Sequence, residues 1–391
     1  MERPDAVATI DFGSSLTRAN AVLGDRPNTQ EYITVLMAPE VAIVDPEEIT
    51  DDWSMELMGP IRPENRAWVK TPDGYAVVGK SAKTQFFANA GLAELKYERA
   101  IAKTLAMVWA ISQRLDLPNR FTLALSVLLP GGELTDRDRL RKSIKSALRS
   151  FETPSGKLRV KLVSFLSQPE GYGLCLIHAG QQTMASLESQ VAAVTIGFRN
   201  ASILPICGQA IEQGLSSNLG FIRMVEAAVK KTSGLQPDRM TEAIVKAGYP
   251  IEEEALFEFT RSRSQADRIE DVKRTIVAIE SSRRRYFRSL VSWLDNTLPI
   301  GTQAILFGGG TAAYFQGELE EYYQTQKGLT LWWHGGIQIP PHLIQDISLE
   351  RLADCYCLFL YYLKKIQNAT QMLCSETERT ASKSPPHPFA S

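Results

Sequence analysis

The sequence predicts an α/β protein built from two domains. Its 391 residues are too many for one domain of ordinary size, which has roughly 100–200 residues. Short apolar runs typical of strands alternate with longer amphipathic segments typical of helices. Each half of the chain opens with two apolar runs around a glycine-containing turn, over residues 6–23 and 191–206. The repeated hairpin indicates two halves of similar construction.

The composition is that of an ordinary soluble protein. Hydrophobic residues make up 44% of the chain and charged residues 22%, and the net charge is −1. A net charge so close to zero argues against a general electrostatic grip on nucleic acid. The five cysteines are scattered and odd in number, and no apolar stretch is long enough to cross a membrane. We therefore expect a cytoplasmic protein without disulfides, direct nucleic-acid binding or a membrane span.

The first half begins with strands at 6–10 and 16–23, which flank the turn D-F-G-S-S. Prolines and acidic residues make the following region, 36–66, rich in loops. Hydrophobic periodicity then predicts a strand over 75–78, a helix over 88–113, a strand over 121–129, a helix over 133–151, a strand over 158–166 and a helix over 171–189.

The second half repeats the opening hairpin, with strands at 191–196 and 201–206 around G-F-R-N. The patterns that follow predict helices over 211–233, 239–247 and 265–297, a strand over 304–307 that leads into G-G-G, and a helix over 348–367. From about residue 370 the chain becomes rich in Ser, Thr, Lys and Pro, so we expect a disordered tail over 370–391.

Residues 74–81, G-Y-A-V-V-G-K-S, match the phosphate-loop pattern G-x-x-x-x-G-K-[ST] letter for letter. A phosphate loop needs flexible central residues whose N–H groups turn inward. Here the centre is Tyr75-Ala76-Val77-Val78, which is stiff and favours a strand. We therefore interpret the segment as a strand that ends at Gly79, followed by a helix.

The first hairpin turn has the residue types that a phosphate group requires. Backbone N–H groups in a tight Gly/Ser turn can converge on an anion, and Ser14 and Ser15 add hydroxyl donors. Arg18 offers a bidentate contact to phosphate oxygens, and Asp11 would face a metal ion. Taken alone, the segment also fits an ordinary hairpin turn.

Two later segments have related features. Val194-Thr195-Ile196-Gly197 repeats the strand-and-turn form of the first hairpin. Gly308-Gly309-Gly310 ends a strand and opens a helix, where the lack of side chains lets a ligand approach the backbone closely. A plain loop at the start of a helix is the alternative for the triplet.

The order of these segments resembles that of a known family. Two glycine hairpins, one early in each half, and a later G-G-G loop form the layout of the actin-like ATPase superfamily, and the chain is most similar to its plasmid-segregation branch, the ParM-like actins. The resemblance covers about residues 6–365 and includes 75–79 with Ala82, 123–130, 169–171, and Gly208, Ile211 and Gly214. The individual motifs are short, and Arg18 stands where a lysine is usual.

The resemblance implies an actin-like fold of two RNase H-like domains around a nucleotide cleft. Domain I would span 1–180, with a small subdomain at 36–98, and would be completed by a C-terminal helix at 346–368. Domain II would span 181–345. The cofactors would be ATP and Mg²⁺, with Asp11 facing the metal and Glu170 as the catalytic residue that positions the attacking water. The implied nucleotide-binding residues are Asp11, Gly13, Ser14, Ser15, Arg18, Thr195, Gly197, Gly308, Gly309 and Gly310.

The same resemblance implies a protein that assembles with itself into filaments under nucleotide control, for plasmid or DNA segregation through a DNA-binding adaptor protein. One residue of the second loop departs from the family pattern. The family begins its second loop with aspartate, whereas Thr195 stands at that position here. A neutral hydroxyl does not replace the charge, so hydrolysis would be slow unless Glu170 and Asp11 suffice. One alternative is a non-hydrolysing actin-like scaffold or adaptor. Another is a sugar or acetate kinase of the same superfamily, which would need a catalytic aspartate in domain II that the sequence does not indicate.

Overall fold

The structure is a computed structural model that describes residues 2–25, 29–53, 62–71, 74–92, 94, 96–181, 190–207 and 210–381. Within these residues it is a mixed α/β protein, which confirms the predicted class. The strands are β1 (Ala6–Phe12), β2 (Thr17–Leu23), β3 (Ile33–Met37), β4 (Val41–Val44), β5 (Ala67–Thr71), β6 (Gly74–Val78), β7 (Arg120–Leu129), β8 (Phe151–Thr153), β9 (Gly156–Pro169), β10 (Gln190–Ile196), β11 (Ala201–Cys207), β12 (Ala210–Ile211), β13 (Leu215–Ser217), β14 (Ala304–Gly308) and β15 (Thr330–Trp333).

Helices connect and cover these strands. They are α1 (Pro46–Trp53), α2 (Lys80–Thr84), α3 (Lys96–Arg114), α4 (Arg137–Leu148), α5 (Tyr172–Gln181), α6 (Ile222–Val229), α7 (Pro237–Ala247), α8 (Glu253–Leu256), α9 (Gln265–Thr297), α10 (Gly310–Tyr314), α11 (Gln316–Leu319) and α12 (Leu349–Ala381). A 3₁₀ helix at Gly131–Asp136 lies between β7 and α4.

Two large sheets have the same plan. In the first, the strand order is β3-β2-β1-β7-β9-β8, with β1 antiparallel to β2 and parallel to β7. In the second, the order is β12-β11-β10-β14-β15, with β10 antiparallel to β11 and parallel to β14, while β13 pairs with β11. Each sheet thus places a hairpin beside a parallel strand, so the turn of the hairpin and the end of that strand lie together.

Helices cover both faces of the first sheet. On one face, α3 and α4 pack against it through residues such as Leu105, Ile111 and Ile144. On the other face, α12 packs against β1 and β7 through Leu352 and Phe359, and α5 packs against α12. The C-terminal helix α12 therefore packs against the sheet that contains the N-terminal strand β1. Its apolar side is buried there.

The second sheet packs against α6, α7 and α9 through a core that contains Val194, Phe307 and Ile279. A third sheet, in the order β4-β6-β5, forms a smaller layer beside the first. Its central strand β6 is the one that carries the false phosphate-loop pattern. Because β6 is bonded on both sides, its N–H groups serve the sheet, and α2 begins at Lys80. The strand interpretation is confirmed.

Three predicted helices differ from the structure. The one over 88–113 begins only at Lys96, and the one over 133–151 begins as the 3₁₀ helix and ends at Leu148. The one over 211–233 is wrong in its first part, because β13 pairs with β11 there and α6 starts at Ile222. The segment 182–189 of the predicted helix at 171–189 lies outside the described residues.

The end of the chain also differs from expectation. The composition predicts disorder from 370, yet α12 continues to Ala381, because residues 370–381 contain no proline or glycine to stop the helix. The rest of the predicted tail, 382–391, lies outside the described residues.

The domain limits remain predictions. No helix among the described residues is long and apolar enough to span a membrane.

Candidate functional site

Loops from both sheets meet at one cleft of about 880 Å³. This cleft is lined by the turns of both hairpins and by the loop after β14. All three segments follow the ends of strands, and the two hairpins occupy matching positions in the two sheets. Ten of the eleven residues predicted from the sequence are therefore brought together: Asp11, Gly13, Ser14, Ser15, Arg18, Glu170, Thr195, Gly197, Gly309 and Gly310. The exception is Gly308.

Asp11 and Arg18 form a cross-strand ion pair at the end of the first hairpin. They face each other in the β1–β2 register, and Arg18 donates from Nε (2.8 Å) and Nη2 (2.6 Å) to Asp11 Oδ2. Burial alone would lower the pKa of the Arg18 guanidinium, but the charge and hydrogen bonds of Asp11 raise it overall. The pair places one positive and one negative charge together at the base of the turn.

The turn itself leaves no space for a side chain at Gly13. A Cβ there would lie 2.4 Å from the Leu16 carbonyl oxygen and 3.2 Å from Arg18 Nη2. Arg351 of α12 donates from Nη2 to Ser15 Oγ at 3.2 Å, and both residues line the cleft. The first loop therefore has two guanidinium groups beside it, of which only Arg18 was identified from the sequence.

The second loop is held by contacts within the second half of the chain. Gly197 donates its N–H to the Asn200 carbonyl (2.9 Å), and its own carbonyl accepts from Thr311 Oγ1 (2.9 Å). Thr195, at the end of β10, lies on the cleft wall, and its Oγ1 is buried without a hydrogen-bond partner among the described residues. An unpartnered buried hydroxyl is costly, so a ligand with a donor or acceptor here would satisfy it.

The three glycines at 308–310 do not all have the same role. Gly308 belongs to β14, opposite Thr195, and a Cβ there would lie 2.5 Å from Leu174 Cδ1. It is therefore a packing position outside the cleft lining, which corrects its predicted place there. Gly309 has a φ of +93°, and a Cβ would lie 2.4 Å from the Ile196 carbonyl oxygen. Only glycine fits this approach of the third loop to the second hairpin.

Glu170 lies on the cleft wall, just after β9. Its Oε2 accepts from Ser202 Oγ at 3.1 Å, and Ser202 stands opposite Thr195 in the β10–β11 register. The carboxylate therefore reaches from the first sheet to the second hairpin, close to the position where the family's second aspartate would be.

Asp354 of α12 is a cleft residue that the sequence analysis missed. Its Oδ2 accepts from the Gly171 N–H (2.7 Å) and its Oδ1 from the Gly173 N–H (3.0 Å), at the start of α5. Burial raises the pKa of Asp354 to about 7; the Gly171 N–H opposes this shift, whereas Asp11 and Glu170 add to it. The sequence feature that could have indicated Asp354 is its place as an acidic residue inside the apolar run L-A-D-C-Y-C-L-F-L.

Asp354 predicts a measurable pH dependence. Its pKa is higher in the folded protein than in the unfolded chain, so the folded state binds more protons between about pH 4 and 7. The free energy of unfolding should therefore fall as pH rises through this window and level off above it. We expect Asp354→Asn to flatten this fall by a few kcal/mol, measured by urea unfolding at pH 5 and pH 8. An unchanged slope would contradict the assignment.

Aromatic side chains form another part of the wall that the sequence did not predict. Phe221 contacts both Phe198 and Tyr314, with ring centroids 6.5 Å and 5.3 Å apart, and all three line the cleft. Beneath them, the buried Arg283 lies 5.2 Å from the Tyr314 ring centroid and pairs with Glu318. The cleft thus combines a charged end at the hairpins with an aromatic side, the combination that binds a flat ring joined to an anion.

The oxygen atoms present fit a magnesium ion bound mainly through water and ligand oxygens. Asp11 Oδ1 is buried and has no hydrogen-bond partner among the described residues, whereas its Oδ2 is used by Arg18. Mg²⁺ prefers one or two carboxylates together with waters and phosphate oxygens. Asp11 would hold the ion, which when bound would neutralise phosphate charge. Among the described residues no group of three or more His, Cys, Asp or Glu forms a cluster for direct coordination.

Comparison with solved structures identifies this arrangement. The actin-like protein Alp7A superposes with a TM-score of 0.62 at 13% identity, over 96% of this chain and 99% of that one. The fold is that of the ParM-type actin-like proteins. The pSK41 ParM protein in its apo form gives a TM-score of 0.57 at 12% identity, over 93% and 99% of the two chains.

The structure of a 15-stranded ParM filament from Clostridium botulinum is also similar to this chain. Its TM-score is 0.57 at 14% identity, over 93% of this chain and 99% of that one. No family model and no curated protein sequence matches the chain. The predicted resemblance and the predicted actin-like fold are both confirmed by these structures.

Proposed function

We propose that the protein is an actin-like ATP-binding protein that assembles with itself into filaments. The single observation that carries the proposal is the convergence of both hairpin turns and the Gly309 loop on one cleft between two similar sheets. Ser14, Ser15 and the backbone of the first turn supply donors for phosphate oxygens, and the aromatic wall faces the space for a base. Nucleotide would favour the filament only through its higher affinity for the filament-competent shape.

Several structures with this fold support self-assembly. Besides the 15-stranded ParM filament, they include filament structures of Alp12 and of AlfA from the B. subtilis plasmid pLS32. Head-to-tail contacts that do not close produce such polymers. We further propose a role in plasmid or DNA segregation, in which a separate DNA-binding adaptor protein, and not this chain, contacts the DNA.

A non-hydrolysing or weakly hydrolysing scaffold is the second candidate, and one observation favours it. Thr195 supplies a neutral hydroxyl where the resemblance calls for a carboxylate. Glu170 remains on the wall, bonded to Ser202, and can orient a water. We therefore propose that ATP binding is retained and that hydrolysis is slow.

Sedimentation and phosphate release test the proposal together. The purified full chain is pelleted with and without ATP and Mg²⁺, and released phosphate is measured in the same samples. Polymer that depends on nucleotide supports the proposed function, and the amount of phosphate separates the two candidates. If the chain neither binds ATP nor sediments with it, the proposed function is wrong.

Restoring a carboxylate at the second loop should accelerate hydrolysis. We expect Thr195→Asp to raise phosphate release at least about tenfold, because charge stabilisation dominates phosphoryl transfer. Thr195→Asn is the matched control: it has nearly the same shape but no charge, and should leave the rate unchanged. Equal rates in all three proteins would show that Thr195 does not limit hydrolysis.

A further inference from the structure

Arg351, in the first turn of α12, contacts two of the loops that line the cleft. Its Nη2 donates to Ser15 Oγ of the first loop at 3.2 Å. Its aliphatic stem lies against the third loop, where a Cβ on Gly310 would be 3.1 Å from Arg351 Cγ and 3.4 Å from Arg351 Cδ. All three residues line the cleft. The side chain therefore crosses from the third loop to the first, and its charged end lies at Ser15.

The two guanidinium groups beside the first loop differ in their counter-ions. Arg18 donates from Nε and Nη2 to Asp11 Oδ2, so its charge is neutralised within the hairpin. Arg351 donates to the neutral Ser15 hydroxyl, and within the part of the chain that the structure describes it forms no ion pair. Arg351 is therefore a cation in the cleft wall that lacks a carboxylate partner among those residues.

The surroundings of Arg351 disfavour its positive charge. Burial lowers the pKa of Arg351 and the charge of Arg18 lowers it further, whereas Glu350 opposes this shift. The position in the helix acts in the same direction. Arg351 is the third residue of α12, and the first turn is the positive end of the helix dipole, where cations are unfavourable and anions are favourable. An anion that enters the cleft beside Arg351 would offset these effects.

We propose that Arg351 binds the phosphate chain of the nucleotide and makes the cleft selective for nucleotides over nucleosides. The identity of the ligand rests on the proposed function, whereas the anion site rests on the charges around Arg351. The guanidinium fork can contact two phosphate oxygens at once. The Ser15 hydroxyl, which accepts from Arg351, retains its own proton to donate to the same anion. The C-terminal helix thus supplies a specificity-determining residue to the site formed by the loops.

Calorimetric titration of the full chain with ATP and Mg²⁺, and separately with adenosine, tests this role. Arg351→Met keeps a stem against Gly310 but removes the charge. We expect it to weaken ATP binding about tenfold or more, the loss of charge-assisted hydrogen bonds, and to leave adenosine affinity unchanged. Arg351→Lys, which retains the charge but not the fork, should give an intermediate loss. The matched control is Arg274→Met, which removes a cation from an exposed pair inside α9 and should alter neither affinity.

Thermal unfolding separates ligand binding from a structural role. Because the charge of Arg351 is disfavoured where it lies, Arg351→Met should unfold at the wild-type temperature or above it. A clearly lower temperature, an equal loss of ATP and adenosine binding, or unchanged ATP binding would overturn the proposal.

Pyrophosphate distinguishes this proposal from the proposed function. If wild type binds pyrophosphate, Arg351→Met does not, and neither binds ATP, the anion site stands and the proposed function is wrong. If wild type binds neither pyrophosphate nor ATP, both are wrong.

Discussion

Arg18→Met is expected to lower the free energy of unfolding by about 3–5 kcal/mol, the cost of removing one partner of a buried ion pair. Arg18 donates two hydrogen bonds to Asp11 Oδ2, and the side chains are only 17% and 8% exposed. Asp11 Oδ1 already lacks a partner among the described residues, so the variant would leave a buried carboxylate with neither oxygen satisfied. Urea unfolding at pH 7 measures the loss.

Two companion variants define the cause. Asp11→Leu/Arg18→Met removes both charges and should recover most of the lost stability, because apolar groups replace a buried pair at little cost. Arg274→Met disrupts an exposed pair and should change stability by less than about 0.5 kcal/mol. A loss below about 1 kcal/mol in Arg18→Met would mean that water reaches Asp11. All variants at Asp11 or Arg18 should also weaken ATP binding if the first loop holds phosphate.

Gly309→Ala is expected to destabilise the protein by about 3 kcal/mol or more, although it adds only one methyl group. The φ of +93° is unfavourable for any residue with a Cβ, which costs on the order of 1–3 kcal/mol. The added carbon would also lie 2.4 Å from the Ile196 carbonyl oxygen, so the third loop must move away from the second hairpin. Because both loops line the cleft, ATP affinity should fall at least about tenfold as well.

The control for this substitution is another glycine-to-alanine change. Gly317, within α11, is exposed, and a Cβ there would meet no atom within 4 Å. Gly317→Ala should stabilise the protein by about 0.5–1 kcal/mol, because alanine loses less backbone entropy in a helix. Thermal unfolding and titration with a fluorescent ATP analogue measure both effects. If Gly309→Ala bound the analogue as wild type does, the third loop would not shape the site.

Local patterns predicted most of the elements that carry the site. The hairpins at 6–23 and 191–206, the strand before G-G-G and the helix at 265–297 all have a periodicity that burial on one face imposes. Prediction failed where pairing partners decide the structure. Residues 215–217 form a strand only because β11 lies beside them, and no feature within the segment indicates it.

The site shows the same division. Asp11, Arg18 and the glycines were found because turn residues with donors and acceptors stand out beside apolar strands. Asp354 and Arg351 were not found, because they belong to an apolar helix whose place in the sequence is more than 300 residues from the first hairpin. The family order of motifs, rather than any one motif, identified Glu170.

By itself, the sequence determined the α/β class, the repeated hairpins and the neutral Thr195 in the second of them, since these depend on residue type and spacing along the chain. Only the tertiary structure decided how charges are paired. It showed Arg18 bound to Asp11, Arg199 of the second hairpin bound to Glu133 in the first half of the chain, and Gly308 packed outside the lining. Most of these contacts join residues that are distant in sequence. They are therefore determined by how the two sheets pack and not by the local sequence pattern.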